Sequence, residues 1–141
     1  AELASRIVWF DAYATNVDRT VRNTNLLVWH RKLQLIDHGA SLYFHHSWDG
    51  YLERSLDPFR AIKDHVLLPY ASALEAADDF MSQAITRERI ENIVALLPDT
   101  WLMADTHFAT AQANRVAYVD YLARRLERPH AFVQEAIRAR A

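Results

Sequence analysis

The sequence predicts a mainly α-helical protein with one small β-hairpin, and three observations carry that expectation. Apolar residues recur at helical spacing at the N-terminus and through most of the chain beyond residue 57. Only one stretch, Leu26 to Ile36, sets two short apolar runs on either side of a polar turn. Residues that start or stop helices stand at the edges of the periodic segments: Asp57-Pro58, Thr86, Pro98 and Pro129.

Taken in order, Leu3, Ile7, Phe10 and Ala14 form a stripe with Glu2, Arg6 and Asp11 off it, which predicts an amphipathic helix over 2–14. Thr15 and Asn16 bond readily to nearby backbone and end it. A polar loop over 15–25 follows. The hairpin over 26–36 is read as Leu26 to Trp29 and Leu33 to Ile36 around a His30-Arg31-Lys32 turn. Two strands make no stable sheet in water, so the hairpin is expected to lie against helices or other strands.

Residues 40–56 are aromatic and polar without a period and read as a long loop. The helical remainder spans 57–141. Asp57 caps and Pro58 opens a helix with Phe59, Ile62 and Val66 inward, which Pro69 stops or kinks. Residues 71–84 form the next, with Leu74, Phe80 and Met81. Thr86 caps a helix whose Ile90, Ile93, Val94 and Leu97 face the core. A long helix over 105–127 buries Val116, Val119, Leu122, Ala123 and Leu126, and Pro129 starts a last one with Phe132, Val133 and Ile137.

Composition bounds the function. With 141 residues, 51% of them hydrophobic, one domain with a real core is expected. Eighteen acidic against 16 basic residues leave a formal charge of −2, so no basic field argues for a nucleic-acid partner. The absence of cysteine excludes disulfides, thiolate nucleophiles and sulfur-ligated metals, and fits a reducing, cytoplasmic setting. No apolar run approaches the roughly 20 residues that span a bilayer, so no membrane is expected. Only two glycines occur, Gly39 and Gly50, and neither belongs to a glycine-rich phosphate loop.

The chemistry concentrates in Asn16-Val17-Asp18-Arg19-Thr20-Val21-Arg22-Asn23-Thr24-Asn25 and, past the hairpin, Asp37-His38-Gly39. Phosphoryl transfer from ATP needs a carboxylate beside the acceptor hydroxyl and oxygen ligands for magnesium. An aspartate, an asparagine five positions later, a hairpin and an Asp-X-Gly follow the protein-kinase order, and Asp18, Asn23 and Asp37 have those offsets. Magnesium prefers hard oxygen donors, so Asp37 and the amide oxygen of Asn23 are suitable and the seven histidines are not. Gly39 is expected to free the turn after Asp37, and Arg19 to pair with Asp18 or with phosphate. The plainer alternative is that Asp18, Asn23, Asn25 and Asp37 merely cap turns.

The run Asn-Val-Asp-Arg-Thr-Val-Arg-Asn-Thr-Asn-Leu-Leu-Val, with Leu-Ile-Asp-His-Gly after the turn, resembles the catalytic segment of HipA-like kinases. The likeness extends more faintly to Leu97-Pro98-Asp99-Thr100-Trp101-Leu102 and the closing helix rich in Arg, Tyr and Leu. It implies the helical C-lobe of a protein-kinase-like fold, with Asp18 as catalytic aspartate, Asn23 and Asp37 as magnesium ligands, and ATP as donor to a hydroxyl, a protein Ser or Thr above all. Thr20 stands where this type often has His. Nothing matches an N-terminal lobe with its phosphate-covering loop and strand lysine, and neither Lys32 nor Lys63 is placed to substitute. The expectation is therefore a single kinase C-lobe over 1–141 belonging to a longer kinase, with the N-lobe as missing partner and little catalysis alone. A small-molecule phosphotransferase like the aminoglycoside and choline kinases, and a non-catalytic helical pseudokinase module, are the rivals.

Other residues draw plainer readings. Adjacent His45 and His46 point apart on an extended segment, so packing or surface roles are expected. Contact to a peptide substrate by the 40–56 loop, or a regulatory phosphate on Ser41, Tyr43 or Ser47, rests on analogy with kinases. Trp29, Trp48 and Trp101 are expected in core or interlobe contacts, and Arg124, Arg125, Arg128, Arg138 and Arg140 on a solvated face.

Overall fold

The computed structural model describes all 141 residues. Helix α1 (Glu2–Tyr13) is the hub, packing against α3 (Leu74–Ala84) and α7 (Ala131–Arg140). Its buried arc is broader than the sequence stripe and rotated from it. Ser5, Ile7, Val8, Trp9, Asp11, Ala12 and Tyr13 are buried, whereas Leu3 is exposed. Asp11 was expected on the polar side and is wholly inside.

The main core gathers Val8, Trp9 and Ala12 of α1, Ile62, Leu68, Leu74 and Ala77 of the middle segment, and Phe132, Val133 and Ala136 of α7. Trp9 stacks on Tyr13 at 5.3 Å between ring centroids and meets Phe132 edge-on at the same distance, a geometry aromatic quadrupoles favour. The Asp78 carboxylate of α3 accepts from Trp9 Nε1 and engages His130 Nδ1, each at 2.7 Å, so one buried acid ties three helices.

Strands β1 (Leu26–Trp29) and β2 (Lys32–Leu35) pair antiparallel, Leu26 opposite Leu35 and Trp29 opposite Lys32. The turn is therefore the two residues His30 and Arg31, and Lys32 belongs to the second strand. Both turn residues have positive φ, 46° and 62°, the pattern of the type I′ turn whose twist matches a hairpin. The expectation that helices cover this hairpin is not met. Val28 and Trp29 remain 69% and 62% exposed.

Residues 40–56, expected to be a loop, contain a 3₁₀ turn (Tyr43–His46) and a one-turn helix, α2 (Tyr51–Arg54). They are ordered by aromatic burial: Phe44 and Trp48 pack with Ala117 and Tyr121 of α6 (Ala111–Arg124) in a second cluster. The helix expected after Pro58 is a 3₁₀ segment, Arg60–Asp64, followed by another at Leu68–Tyr70 that contains Pro69. Burial of Ile62 and Leu68 fixes these short turns although no long helix forms.

Thr86 caps α4 (Arg87–Val94) by accepting from Arg89 N–H, as its position predicts. Ile90 and Val94 face α6, while Ile93 is exposed. After α5 (Asp99–Leu102), Thr110 caps α6, which starts later and ends earlier than the periodicity suggests. Val116 is exposed. No helix is long and apolar enough to cross a membrane.

Candidate active site

The polar loop begins where α1 must stop. Thr15 turns into the left-handed region (φ 53°), and Asn16 reaches back, its Nδ2 donating to Asp11 Oδ1 at 3.0 Å while its Oδ1 accepts from Asp18 N–H at 3.2 Å. The next anchor is Arg19. Its Nε donates to Asp11 Oδ2 and its Nη1 to the Asn25 carbonyl, both at 2.5 Å, and the guanidinium is fully buried.

This corrects the expectation for Arg19. With its fork closed on Asp11 and Asn25, it does not pair with Asp18 and is not exposed to phosphate. It positions the loop instead. The Asp11 carboxylate also takes a bond from His65 Nε2 at 3.0 Å, and His65 Nδ1 accepts from Leu67 N–H at 3.0 Å, which fixes the Nε2–H tautomer. Burial pushes the Asp11 carboxyl up, but the bonds from His65, Arg19 and Asn16 and the charge of Arg19 outweigh it and hold the group below its ordinary value. On the same side, Val66 N–H donates to the Arg19 carbonyl at 3.0 Å and Thr20 bridges His65, so residues 19–20 are pinned to the 65–66 segment.

The anchored backbone presents Asp18. Its Oδ2 accepts from Asn23 Nδ2 at 2.7 Å and from Asn25 Nδ2 at 3.3 Å. The side chain is half-buried and Asn23 is exposed. Because Asn23 spends its amide nitrogen on Asp18, its amide oxygen is left without a protein partner. The loop itself is closed by Thr20 N–H on the Asn23 carbonyl (2.9 Å) and Asn23 N–H on Thr20 Oγ1 (3.3 Å).

Asp37 is carried to this loop by backbone bonds on both sides. Ile36 N–H donates to the Asn25 carbonyl at 3.0 Å, and Val17 N–H donates to the Ala40 carbonyl at 3.3 Å. The Asp37 carboxylate is exposed and accepts no hydrogen bond from the protein. The freedom expected of Gly39 is used elsewhere: Asp37 itself is left-handed (φ 51°), whereas Gly39 is not. A Cβ at Gly39 would meet Asp37 Oδ1 at an ordinary 3.5 Å. Aspartate tolerates that backbone region better than most residues.

Asn23 and Asp37 thus supply unengaged oxygen donors, which suit a hard cation that keeps few protein ligands. No group of three or more His, Cys, Asp or Glu side chains forms a metal cage, here or elsewhere in the chain. His45 Nδ1 instead bonds Tyr118 OH at 2.9 Å, and His46 packs edge-on against Tyr43. Of the three tryptophans expected in core or interlobe contacts, Trp48 is in the core, while Trp29 and Trp101 are exposed.

Arg125 is the second residue whose role the sequence did not reveal. It lies buried, not on a solvated face, and donates to the carbonyls of Ala12, Tyr13, Ser55 and Asp57 at 2.9 to 3.2 Å. Two of those carbonyls end α1, where a cation is favoured and free acceptors need donors. Arg125 therefore holds the end of the helix that leads into the loop.

The sequence model of the HipA-like kinase family matches residues 1–134. The chain belongs to the HipA-like kinase family. No curated protein and no solved structure matches it. The family name denotes kinase-type phosphotransfer, and the matched residues include the whole Asp18, Asn23 and Asp37 set.

Proposed function

We propose that the chain is the large, helical lobe of a kinase that transfers the γ-phosphate of ATP to a hydroxyl, that of a protein Ser or Thr. The observation that carries this reading is the Asn23 Nδ2 to Asp18 Oδ2 bond of 2.7 Å, which orients the carboxylate and turns the asparagine's oxygen away from it. Asp18 would accept a hydrogen bond from the acceptor hydroxyl and align its oxygen for attack, taking the proton as the bond to phosphorus forms. Asn23 and Asp37 would hold magnesium, which when bound supplies charge neutralisation at the phosphates. The buried Asp11–Arg19 pair keeps the loop preorganised, so little reorganisation is needed at the moment of reaction.

The test is transfer of label from γ-labelled ATP to protein acceptors by the full-length protein. Asp18→Asn preserves the bond from Asn25 Nδ2 and removes the base. It should lower turnover by about a hundredfold or more while leaving ATP affinity intact. Turnover equal to wild type in Asp18→Asn would remove the aspartate from its role. Label appearing only on small hydroxyl compounds would move the protein to the small-molecule phosphotransferases.

A further inference from the structure

Beside the loop lies a cleft of about 200 Å³ that the reading above does not use. It begins at Val17, one residue before Asp18, and is walled by Tyr43 and Phe59, with Arg54, Tyr121 and Asp57 around it. Its elements come from both sides of the Asp-X-Gly turn: Thr15 Oγ1 accepts from Tyr43 N–H at 3.0 Å, and Leu42 N–H donates to the Ala14 carbonyl at 2.7 Å. The floor is firm, since the Tyr121 ring stacks on Phe44 at 3.5 Å and 12°.

Arg54 stands out there. One nitrogen, Nη2, donates to the Ser47 carbonyl. Nε is buried with no partner, Nη1 has none, and no carboxylate lies within ion-pair distance. The cost falls on Nε, the one donor of this guanidinium that is buried without a partner, while the outer nitrogens reach solvent and are open to a ligand. Arg125, also on the cleft, spends its donors on carbonyls and forms no ion pair, although the Asp57 carboxylate is near enough to favour its charge. Against these two cations stands one acid, Asp57, so the lining favours an anion. The apolar walls suit the methylenes of an acidic side chain, and a guanidinium fork matches a carboxylate.

We propose that this cleft is an acceptor subsite in which Arg54 binds the carboxylate of a Glu or Asp flanking the phosphorylated hydroxyl, so that the enzyme selects Ser or Thr in acidic surroundings. The proposal rests on the kinase reading for the word acceptor. The binding itself does not.

The experiment uses two synthetic Ser peptides identical except for Glu or Gln on either side of the serine, titrated without ATP into the full-length protein and its Asp18→Asn variant. Both proteins should bind the Glu peptide about tenfold more tightly than the Gln peptide. Arg54→Gln should abolish the difference, Arg54→Lys should keep part of it, and Arg54→Glu should transfer the preference to a peptide with flanking Lys. In turnover the effect of Arg54→Gln should fall on KM for the peptide, with kcat unchanged. If wild type binds the Glu and Gln peptides equally, the proposal is overturned whether or not phosphate is transferred. It is likewise overturned if free glutamate binds as tightly as the Glu peptide, which would make the cleft a small-carboxylate site, or if a folded Arg54→Gln or Arg54→Lys protein keeps the full preference. Selective binding with no phosphotransfer would leave the subsite standing and remove the kinase reading alone.

Discussion

Asp11 and Arg19 meet at 2.5 Å with both side chains completely withdrawn from water, one on the helix that leads into the polar loop and the other inside that loop. Neither touches the proposed chemistry. Together they decide where Asp18 stands, through Arg19 to the Asn25 carbonyl and Asn25 Nδ2 to Asp18.

Breaking a buried pair by removing one partner strands the other charge. Asp11→Ala and Arg19→Met are each expected to lower stability by about 3 to 5 kcal/mol, measured by urea unfolding. The double variant should cost much less than the sum, because the two residues form one unit. Additive losses would show that they are not coupled.

Acid should unfold the protein through the same group. The folded Asp11 carboxyl lies below the ordinary aspartate value of 3.8, so between the two values the unfolded chain binds the extra proton. Its contribution is therefore complete above about pH 4 and is lost as pH falls through the depressed folded value. Unfolding free energy measured from pH 5 down to pH 2 should drop steeply in wild type and less steeply in Asp11→Asn.

Arg125 should not be replaceable by lysine. A planar fork reaches four carbonyls that a single ammonium cannot. Arg125→Ala is expected to cost about 2 to 4 kcal/mol through unsatisfied acceptors, and Arg125→Lys to recover less than half of it, read from thermal or urea melts.

Several local signals were sound: Thr86 caps its helix, Pro129 precedes the last one, and two short apolar runs make a hairpin, whereas Asp57-Pro58 announced a helix that is only a 3₁₀ segment. The offsets of Asp18, Asn23 and Asp37 carried the resemblance to the HipA-like kinase family, to which the chain belongs. What escaped was set by distant partners. Asp11 lies four residues after Ile7 and three after Val8, which puts it on the buried face, and that spacing was the available clue. Its reason for being there, Arg19 and His65, lies 8 and 54 positions away. Arg125 looked like one more basic residue on a helix because its acceptors are backbone carbonyls, which no side-chain pattern records. Phe44 and Trp48 order a segment without periodicity because burial against Tyr121 and Ala117 replaces it.

The hairpin gives a prediction of small effect. Val28 and Trp29 are largely exposed, so Val28→Thr and Trp29→Ser should each shift unfolding free energy by no more than about 0.5 kcal/mol. A loss of several kcal/mol in either would mean that the hairpin is packed in solution.

The central claim is that Asn23 and Asp37 form a magnesium floor for ATP beside Asp18. The most direct measurement is calorimetric titration of ATP into the full-length protein, with and without magnesium, for wild type and for Asp37→Asn, which suits the left-handed backbone at that position. Wild type should bind ATP only with magnesium present, and Asp37→Asn should bind at least about tenfold more weakly under the same conditions. Equal affinity in the two proteins, or wild-type binding that ignores magnesium, would contradict the account.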